Sequence, residues 1–484
     1  MIARWPEDEV TADSGSRPGW SGWGDLQAAH VSTFHRCLIW IVLSAGFLSG
    51  LDVVVNTGPV QLTHLLLAVS LVLIVLANRA LPPLGAIGLF FALLAISAFS
   101  ILATAPTFGH IADRLFDSVL RIFLAVMLVA AYYGALRLAG SIQALFREYL
   151  KVALFFALVA LGQELVFLVA GIDVFGFMPT GAKEYGAYLG VSGLSVEPAY
   201  LAFALLPAAS YHVVHLISSL RVSISGVVTV AAVILSTSSN GFLGLGVAGV
   251  IATVVALVVY VRQQPLRVAA LVFIVLLLSP AAFWMSQQEY FQLRVQDSLS
   301  LLEVGATRST GANLSSYALA VNSEITTRSL ADNGWFGAGF GLNSWVFDHY
   351  IGNYEIPSYR DTLPGRGTAA SLYLRLFAEI GLAGLVLILL VVLGFLYAIW
   401  RNSERAIAIA FLATFLVMLL RMGAYLDNGA IFVMLMSLLL YRRARDGRET
   451  GGRQRLAVTR RGSRLPTGAP VDLPSQRSQG AAAT

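Results

Sequence analysis

Residues 381–400 read GLAGLVLILLVVLGFLYAIW and carry no charged side chain. A helix needs about 20 consecutive apolar residues to cross the hydrocarbon core of a bilayer. Together with the residues before it, this stretch predicts a membrane-spanning helix over 373–399. The same criterion, applied outward along the chain, predicts an all-α membrane protein of about twelve spanning helices, at 37–55, 60–78, 82–103, 117–138, 149–171, 198–217, 225–239, 241–261, 266–284, 373–399, 405–425 and 428–441.

The composition also points away from a soluble protein. Hydrophobic residues make up 57% of the 484 residues and charged residues only 12%, whereas a soluble domain has about a quarter charged residues. The mean hydropathy of +0.75 agrees. The single cysteine, Cys37, excludes a disulfide framework and a cysteine-based zinc site. The net charge of +5 comes mostly from the C-terminal tail, and no nucleic-acid partner is expected.

The hydropathy divides the chain into five segments. Residues 1–36 are polar and are not followed by a small-residue cleavage site, which predicts a cytoplasmic N-terminal arm rather than a secretory signal. Residues 37–284 hold the first nine spans, 285–372 form one large loop, and 373–441 hold the last three spans. The tail, 442–484, is rich in Arg, Gly, Ser and Pro and is predicted to be a disordered basic segment that fixes the topology or touches anionic lipid.

The distribution of arginine and lysine predicts the orientation, because positive residues favour cytoplasmic turns. The short turns on one side hold only Arg114 and Lys183, whereas the turns on the side of the C-terminal tail hold nine positive residues. The side with the tail is therefore predicted to be cytoplasmic. Both termini then lie in the cytoplasm and the large loop in the periplasm, in a multi-pass protein of the bacterial inner membrane. The positive residues of the predicted cytoplasmic turns are Arg79, Arg137, Arg147, Lys151, Arg221, Arg262, Arg267, Arg401 and Arg405.

Six ionisable residues lie in the predicted spans or at their ends, where charge is costly and usually faces a polar interior. All six fall in the outer half of the membrane. They are either snorkelling side chains and structural ion pairs, or they line a polar cavity under the large loop, which is the favoured interpretation. Arg375 and Glu379 are four residues apart and can pair on one helix face. The six residues are Arg121, Glu164, Glu197, Arg375, Glu379 and Arg421.

The large loop is predicted to fold, with short helices near 312–331 and 367–379, because it has more aromatic residues than a disordered segment. The glycines of GAGFG, residues 337–341, form either a tight turn, which is favoured, or an anion nest. His349 is either a surface residue or a catalytic one. The arginines of the loop offer planar forks that suit phosphate, with solvated surface charge as the alternative; they are Arg294, Arg308, Arg328, Arg360 and Arg366.

Four segments together resemble the O-antigen and exopolysaccharide polymerases, within the O-antigen ligase and polymerase superfamily. Their order and spacing around one large loop carry the resemblance, which spans residues 190–400. GLSVEPAYLA at 193–202 resembles the "E-P-S/A" signature that opens a helix, and LSTSSNGFLG at 235–244 resembles the "S-R-x-G" hairpin. WFGAGFG at 335–341 resembles "P-x-G-x-G-x-G", and SLYLRLFAEIGLAG at 371–384 resembles "S/H-x-x-L-x-x-x-x-E-x-G-x-x-G".

The resemblance implies a GT-C-like membrane fold and a glycosyl transfer on the periplasmic side. The donor would be an undecaprenyl-pyrophosphate-linked glycan, and the acceptor a sugar hydroxyl of a second lipid-linked glycan. The product would be a surface polysaccharide, either O-antigen or exopolysaccharide. No metal and no cofactor are implied. Membrane lipid, a chain-length regulator and a flippase are the implied partners.

This chemistry sets two requirements on the site. Without a metal, arginines must neutralise the pyrophosphate leaving group, and a carboxylate or histidine must accept the proton of the acceptor hydroxyl. Glu197 precedes Pro198, which suits the first turn of a helix, so its carboxylate is either a helix cap or the base. The expected catalytic residues are Glu197, His349 and Glu379, and the expected pyrophosphate- or glycan-binding residues are Arg121, Tyr200, Asn240, Arg308, Arg328, Arg360 and Arg366.

Two alternatives remain open. The related O-antigen ligases have "N-P-N" in place of the Glu197–Pro198 pair and a histidine soon after the glycine motif. The Glu–Pro pair therefore favours a polymerase, while His349 leaves a surface-glycan ligase possible. Asn240 stands where the polymerases often have arginine. A lipid-glycan flippase or transporter should show two similar halves with binding groups at the midplane, and the one large loop after the ninth span argues against it.

Overall fold

The computed structural model describes residues 32–49, 62–78, 84–177, 183–185, 188–260, 314–354, 365–401, 404–426 and 429–462. Most of the N-terminal arm, the ninth predicted span and the first part of the large loop lie outside these residues. So do Arg308 and Arg360, two of the arginines expected to bind pyrophosphate.

The described chain is mostly helical, with one small hairpin. We number its α-helices and strands in chain order. The helices before the hairpin are α1 (Thr33–Ser44), α2 (Leu62–Asn78), α3 (Leu84–Ala103), the single turn α4 (Ala105–Phe108), α5 (Ile111–Ala139) and α6 (Ile142–Ala170). The hairpin pairs β1 (Lys183–Tyr185) with β2 (Tyr188–Gly190) in antiparallel register.

Nine further helices follow the hairpin in the described residues: α7 (Pro198–Ser219), α8 (Ile224–Leu235), α9 (Ser239–Tyr260), α10 (Leu314–Asp332), α11 (Asn343–Tyr350), α12 (Leu372–Ile380), α13 (Leu382–Trp400), α14 (Arg405–Arg421) and α15 (Ala430–Gly462).

Five of these helices are long and apolar enough to cross a membrane. This finding confirms the prediction of an all-α membrane protein, because each offers at least the roughly 18 apolar residues that a spanning helix requires. Shorter apolar helices cover four other predicted spans, at Thr33–Phe47, Leu62–Ala77, Ile87–Ala103 and Ile224–Leu235. The total of about twelve spans, and the side on which each terminus lies, stay predictions. The five long helices are Ile111–Ala139, Ile142–Ala170, Pro198–Ser219, Ser239–Val258 and Leu382–Trp400.

The bundle has two chemically different ends. At one end, Glu404 accepts a hydrogen bond from Gln143 at 2.6 Å and pairs with Arg443 at 3.2 Å, which joins the turns before α6 and α14 to α15. At the other end, the backbone of the large loop contacts α3, α5 and α12 through Ala338 and Phe340. We call these the arginine end and the loop end.

The described part of the large loop is folded, as its aromatic content predicts. The α10 helix covers Leu314–Asp332, close to the first predicted loop helix, and α12 covers Leu372–Ile380 at the second. Residues of α10 and α11 form a hydrophobic core of their own with the ends of α3 and α12. Its largest buried members are Tyr317, Phe347 and Tyr350. The described part of the loop therefore packs directly against the end of the helix bundle.

Several predicted boundaries shift in the structure, and two of the differences change how the chain is divided. The span predicted over 373–399 is two helices, because Gly381 takes a positive φ of 57° between α12 and α13. The tail predicted to be disordered from residue 442 is helical through Gly462. Its Arg, Glu and Gln residues have good helix propensity, and the preceding apolar helix supplies the nucleus that an isolated segment would lack.

Candidate functional site

The glycine loop, residues 337–341, closes onto the C-terminal end of α12. The N–H of Ala338 donates to the carbonyl of Ala378 at 2.9 Å, and the N–H of Gly339 donates to the carbonyl of Glu379 at 2.7 Å. The last carbonyls of a helix have no partner within the helix, so the loop satisfies them. Because these N–H groups are already used, the anion-nest interpretation is wrong, and the favoured tight turn is confirmed.

Glycine is required at these positions by close approach of backbone to backbone. A Cβ at Gly337 would lie closer than 3.0 Å to the carbonyl group of Glu379. A Cβ at Gly381 would collide with the carbonyl of Trp335 in the same way. The two glycines therefore let the loop and the α12–α13 break fit against each other.

This fit predicts a large effect of Gly337→Ala. The added methyl group meets backbone atoms of α12 that cannot rotate away. We therefore expect the free energy of unfolding to fall by about 1–3 kcal/mol or more, as is typical of overpacking. The loss of stability is measured as a lower midpoint of thermal unfolding of the purified protein in detergent. Gly352→Ala is the matched control, because a Cβ there meets nothing within 4 Å. Equal midpoints for the two variants would contradict the close approach.

The other side of the glycine loop is held by polar groups of α3 and α5. The fully buried guanidinium of Arg114 donates to the carbonyl of Ala338 at 2.5 Å and to the hydroxyl of Thr104 at 2.6 Å. The N–H of Phe340 donates to the hydroxyl of Ser97 at 2.9 Å. Hydrogen bonds to a charged group contribute about 1.5–3 kcal/mol each. The loop is thus fastened to the bundle on two sides.

A buried ionic network lies directly beneath the loop. Arg375 Nε donates to Glu379 Oε1 at 2.8 Å, and both side chains are at most 4% exposed. The Tyr425 hydroxyl donates to Glu379 Oε2 at 2.6 Å, and Arg375 Nη1 donates to the carbonyl of Gly423 at 2.7 Å. The predicted pairing of Arg375 with Glu379 is confirmed.

Arg121 lies near this network and has no ion-pair partner among the described residues. It is half-buried on α5, its aliphatic stem packs against Gly341, and it lies within electrostatic reach of Tyr425. Its guanidinium makes no hydrogen bond or ion pair with the residues that the structure describes. A half-buried arginine without an anionic partner is free to bind an anionic group of a ligand.

Glu197 stands at the N-terminus of α7, as predicted, with Pro198 in the first turn. Glu197 is the N-cap residue of α7, as the cap interpretation predicts, but its carboxylate makes no capping hydrogen bond. The Glu197 side chain is half-exposed and makes no hydrogen bond or ion pair with any described residue. The positive end of the helix dipole stabilises its negative charge.

The segment before Glu197 is fixed by two polar residues of α6. Gln163 Oε1 accepts hydrogen bonds from the N–H groups of Ser192 at 3.2 Å and Gly193 at 2.9 Å. Glu164 Oε2 accepts from the N–H of Leu189 at 3.2 Å. Glu164, one of the six predicted outer charges, thus supports this segment through one oxygen, while its Oε1 is buried with no hydrogen-bond partner among the described residues.

The described charged residues of the large loop lie at its surface. Arg366 donates through Nε and Nη2 to both oxygens of Asp348 at 2.6 Å, so its fork is occupied by a carboxylate. Arg328 is exposed on α10. His349 is exposed in the last turn of α11, with its ring 5.2 Å from the ring of Phe108. The structure does not bring His349 into the Arg375–Glu379 network, and its catalytic role stays a prediction.

The two remaining predicted residues lie at the starts of helices at the loop end. Tyr200 is half-buried in the first turn of α7 and packs against the main hydrophobic core. Asn240 is buried at the start of α9, where its N–H donates to the hydroxyl of Ser238 at 3.3 Å. The binding roles of Tyr200 and Asn240 also stay predictions.

Sequence reasoning missed Arg114 and Tyr425 as members of this site. Arg114 was predicted to be a residue of a short outer turn, and Tyr425 carries no local signal, since Glu379 is 46 residues away. Within the described residues, no group of three His, Cys, Asp or Glu side chains could hold a metal ion. No model of a known protein family matches the chain, and no curated protein sequence matches it, so a function must be argued from this geometry.

Proposed function

We propose that this protein is a membrane glycosyltransferase that joins undecaprenyl-pyrophosphate-linked oligosaccharides into a surface polysaccharide. One observation carries the proposal. At the loop end, Arg375 and Glu379 neutralise each other, whereas Arg121 and Glu197 have no described partner. A cation and an anion at the same end of the bundle, each without a partner in the described chain, would supply the two charges that the reaction needs.

The proposed reaction is a displacement at the anomeric carbon of the donor sugar. The acceptor hydroxyl oxygen forms a bond to that carbon, and the bond from the carbon to the pyrophosphate oxygen breaks. Glu197 takes the hydroxyl proton as the general base. Arg121 stabilises the negative charge that develops on the departing pyrophosphate. Undecaprenyl pyrophosphate leaves with the bonding electrons.

In this proposal Glu379 is a positioning residue and not the base. Both of its carboxylate oxygens already accept hydrogen bonds, one from Arg375 and one from Tyr425. Its backbone carbonyl accepts a hydrogen bond from Gly339, and Gly341 of the same glycine loop packs against the aliphatic stem of Arg121. Glu379 therefore helps to position Arg121 by way of the glycine loop.

The proposal is tested by the surface glycans of a strain that lacks this protein. Loss of a polymerase leaves single repeat units on lipid or acceptor, and the ladder of long chains disappears from a gel. A surface-glycan ligase, which the position of His349 keeps as the second candidate, would instead leave long chains on the lipid carrier. Unchanged chain lengths and attachment would refute both. Accumulation of single units on the cytoplasmic side would identify a flippase.

Arg121→Lys is expected to cut polymer formation by about 10- to 100-fold, because a point charge replaces a two-pronged fork and a charge-assisted contact contributes about 1.5–3 kcal/mol. The rate is measured with lipid-linked repeat units and purified protein. Arg137→Lys is the matched control, since Arg137 is exposed near the arginine end of the same helix. If both variants polymerise equally well, Arg121 does not bind the leaving group.

A further inference from the structure

Two exposed aromatic residues lie at the loop end beside an exposed apolar face. Trp335 is 56% exposed and Phe336 is 41% exposed. Both Gly334 and Trp335 have positive φ, 61° and 71°, so the chain turns sharply outward after α10. A positive φ is uncommon for a residue other than glycine and is unfavourable for a bulky side chain. The backbone holds Trp335 in this conformation, because its N–H donates to the carbonyl of Leu330 at 2.9 Å.

The aromatic pair lies where two apolar helix faces converge. The carbonyl of Trp335 accepts a hydrogen bond from the N–H of Leu382, the first residue of α13. The ring of Phe336 meets the ring of Phe99 on α3 edge-on, with 5.4 Å between centroids. Below them, α13 exposes Leu382, Leu385, Val386, Leu389, Leu390, Leu393 and Leu396, and α3 exposes Ile87, Leu89, Phe91, Ile96, Phe99 and Leu102.

The exposed face of α13 is bounded by tryptophan at both ends. Trp335 lies at its start, and Trp400, 82% exposed, closes the helix at the arginine end, followed by the exposed Arg401. Nineteen residues of α-helix are about 28 Å long, close to the roughly 30 Å thickness of the hydrocarbon core. Tryptophan is enriched at the level where hydrocarbon meets the headgroups.

We infer that Trp335 and Phe336 form an aromatic anchor that inserts into the headgroup boundary of the bilayer on the loop side. The partner is the lipid surface itself. An apolar face of bilayer length, tryptophan at both of its ends and the outward turn at Trp335 all point to that partner. The anchor holds the large loop at a fixed depth, whatever reaction the protein carries out.

The anchor has one consequence that rests on the proposed function. The glycine loop begins two residues after Trp335, and Arg121 packs against Gly341 in that loop. Arg121 then lies near headgroup depth, the level at which the pyrophosphate of a lipid-linked glycan lies. The donor could reach Arg121 without lifting its lipid tail out of the bilayer.

The depth is measured by spin labelling, which the single native cysteine makes simple. Cys37 is replaced by serine, and Phe336→Cys carries a nitroxide label in vesicles of phosphatidylethanolamine and phosphatidylglycerol. Leu382→Cys is a second position at the same depth, in case the first variant does not fold. Leu390→Cys marks the middle of the span, and Thr327→Cys, exposed on α10, marks water.

Labels at residues 336 and 382 are expected to be severalfold less accessible to a water-soluble nickel complex than the label at residue 327. They should also be less accessible to oxygen than the label at residue 390. Nickel accessibility equal to that of residue 327 would overturn the anchor. Spin–spin broadening between copies, with neither reagent reaching the label, would also overturn it and would show that a second copy covers the patch. Neither result depends on polymerase activity.

Discussion

Glu197→Gln is expected to abolish long polymer while leaving folded protein in the membrane at its normal level. The substitution keeps the shape of the side chain and removes its charge. Loss of a general base lowers the rate by a factor of about 10² to 10⁴. This reduction is large enough for the bands of long polymer to disappear from a gel.

The structure separates this result from an effect on stability. The Glu197 carboxylate makes no capping hydrogen bond, so the roughly 1 kcal/mol that a side-chain cap contributes is not lost. Only its interaction with the helix dipole weakens, by about 0.3–1 kcal/mol. The midpoint of thermal unfolding should therefore stay close to that of the native protein.

The matched control is Asp113→Asn, which neutralises another carboxylate at the loop end. Asp113 is 72% exposed, and among the described residues it pairs with His110, at 3.5 Å. We expect normal polymer from this variant. If Glu197→Gln also gives normal polymer at normal expression, Glu197 is not the base. The search for a base would then move to His349, and to Asp361, which lies outside the described residues.

Hydropathy predicted much of the helix pattern but could not predict the break at Gly381. Apolar residues continue through this glycine from α12 into α13, so the pattern predicts one helix. The break depends on the carbonyl of Trp335, which occupies the place where a Cβ would stand. Such a contact between segments that are 46 residues apart leaves no trace in a local pattern.

For the candidate site too, the sequence predicted the local contacts but not the contacts between distant segments. The Arg375–Glu379 pair was predictable because the two residues are four apart on one helix. Tyr425 and Arg114 were not, since they meet the site only through the tertiary fold. The glycines were correctly predicted to form a turn, yet their partners on α12 were not identified. Sequence spacing therefore identified the charged residues, and packing decided which of them pair within the described chain.

Glu379→Ala is expected to be the most destabilising single substitution in the network. It leaves the buried guanidinium of Arg375 without a counter-charge, and breaking a buried ion pair in this way costs about 3–5 kcal/mol. We expect little folded protein in the membrane and a large fall in the midpoint of thermal unfolding. The control is Arg366→Ala, which breaks an ion pair whose members are 52% and 45% exposed. Exposed pairs contribute about 0–1 kcal/mol, so this midpoint should hardly change.

A double variant distinguishes positioning from catalysis. Replacing a buried ion pair by apolar residues of similar volume is often neutral or stabilising, so Arg375→Met with Glu379→Leu should recover much of the folded protein. A positioning role predicts that the recovered protein also makes polymer, since the backbone carbonyls that hold the glycine loop remain. If the double variant is folded but makes no polymer, the Glu379 carboxylate takes part in the reaction, and the assignment of Glu197 as the sole base fails.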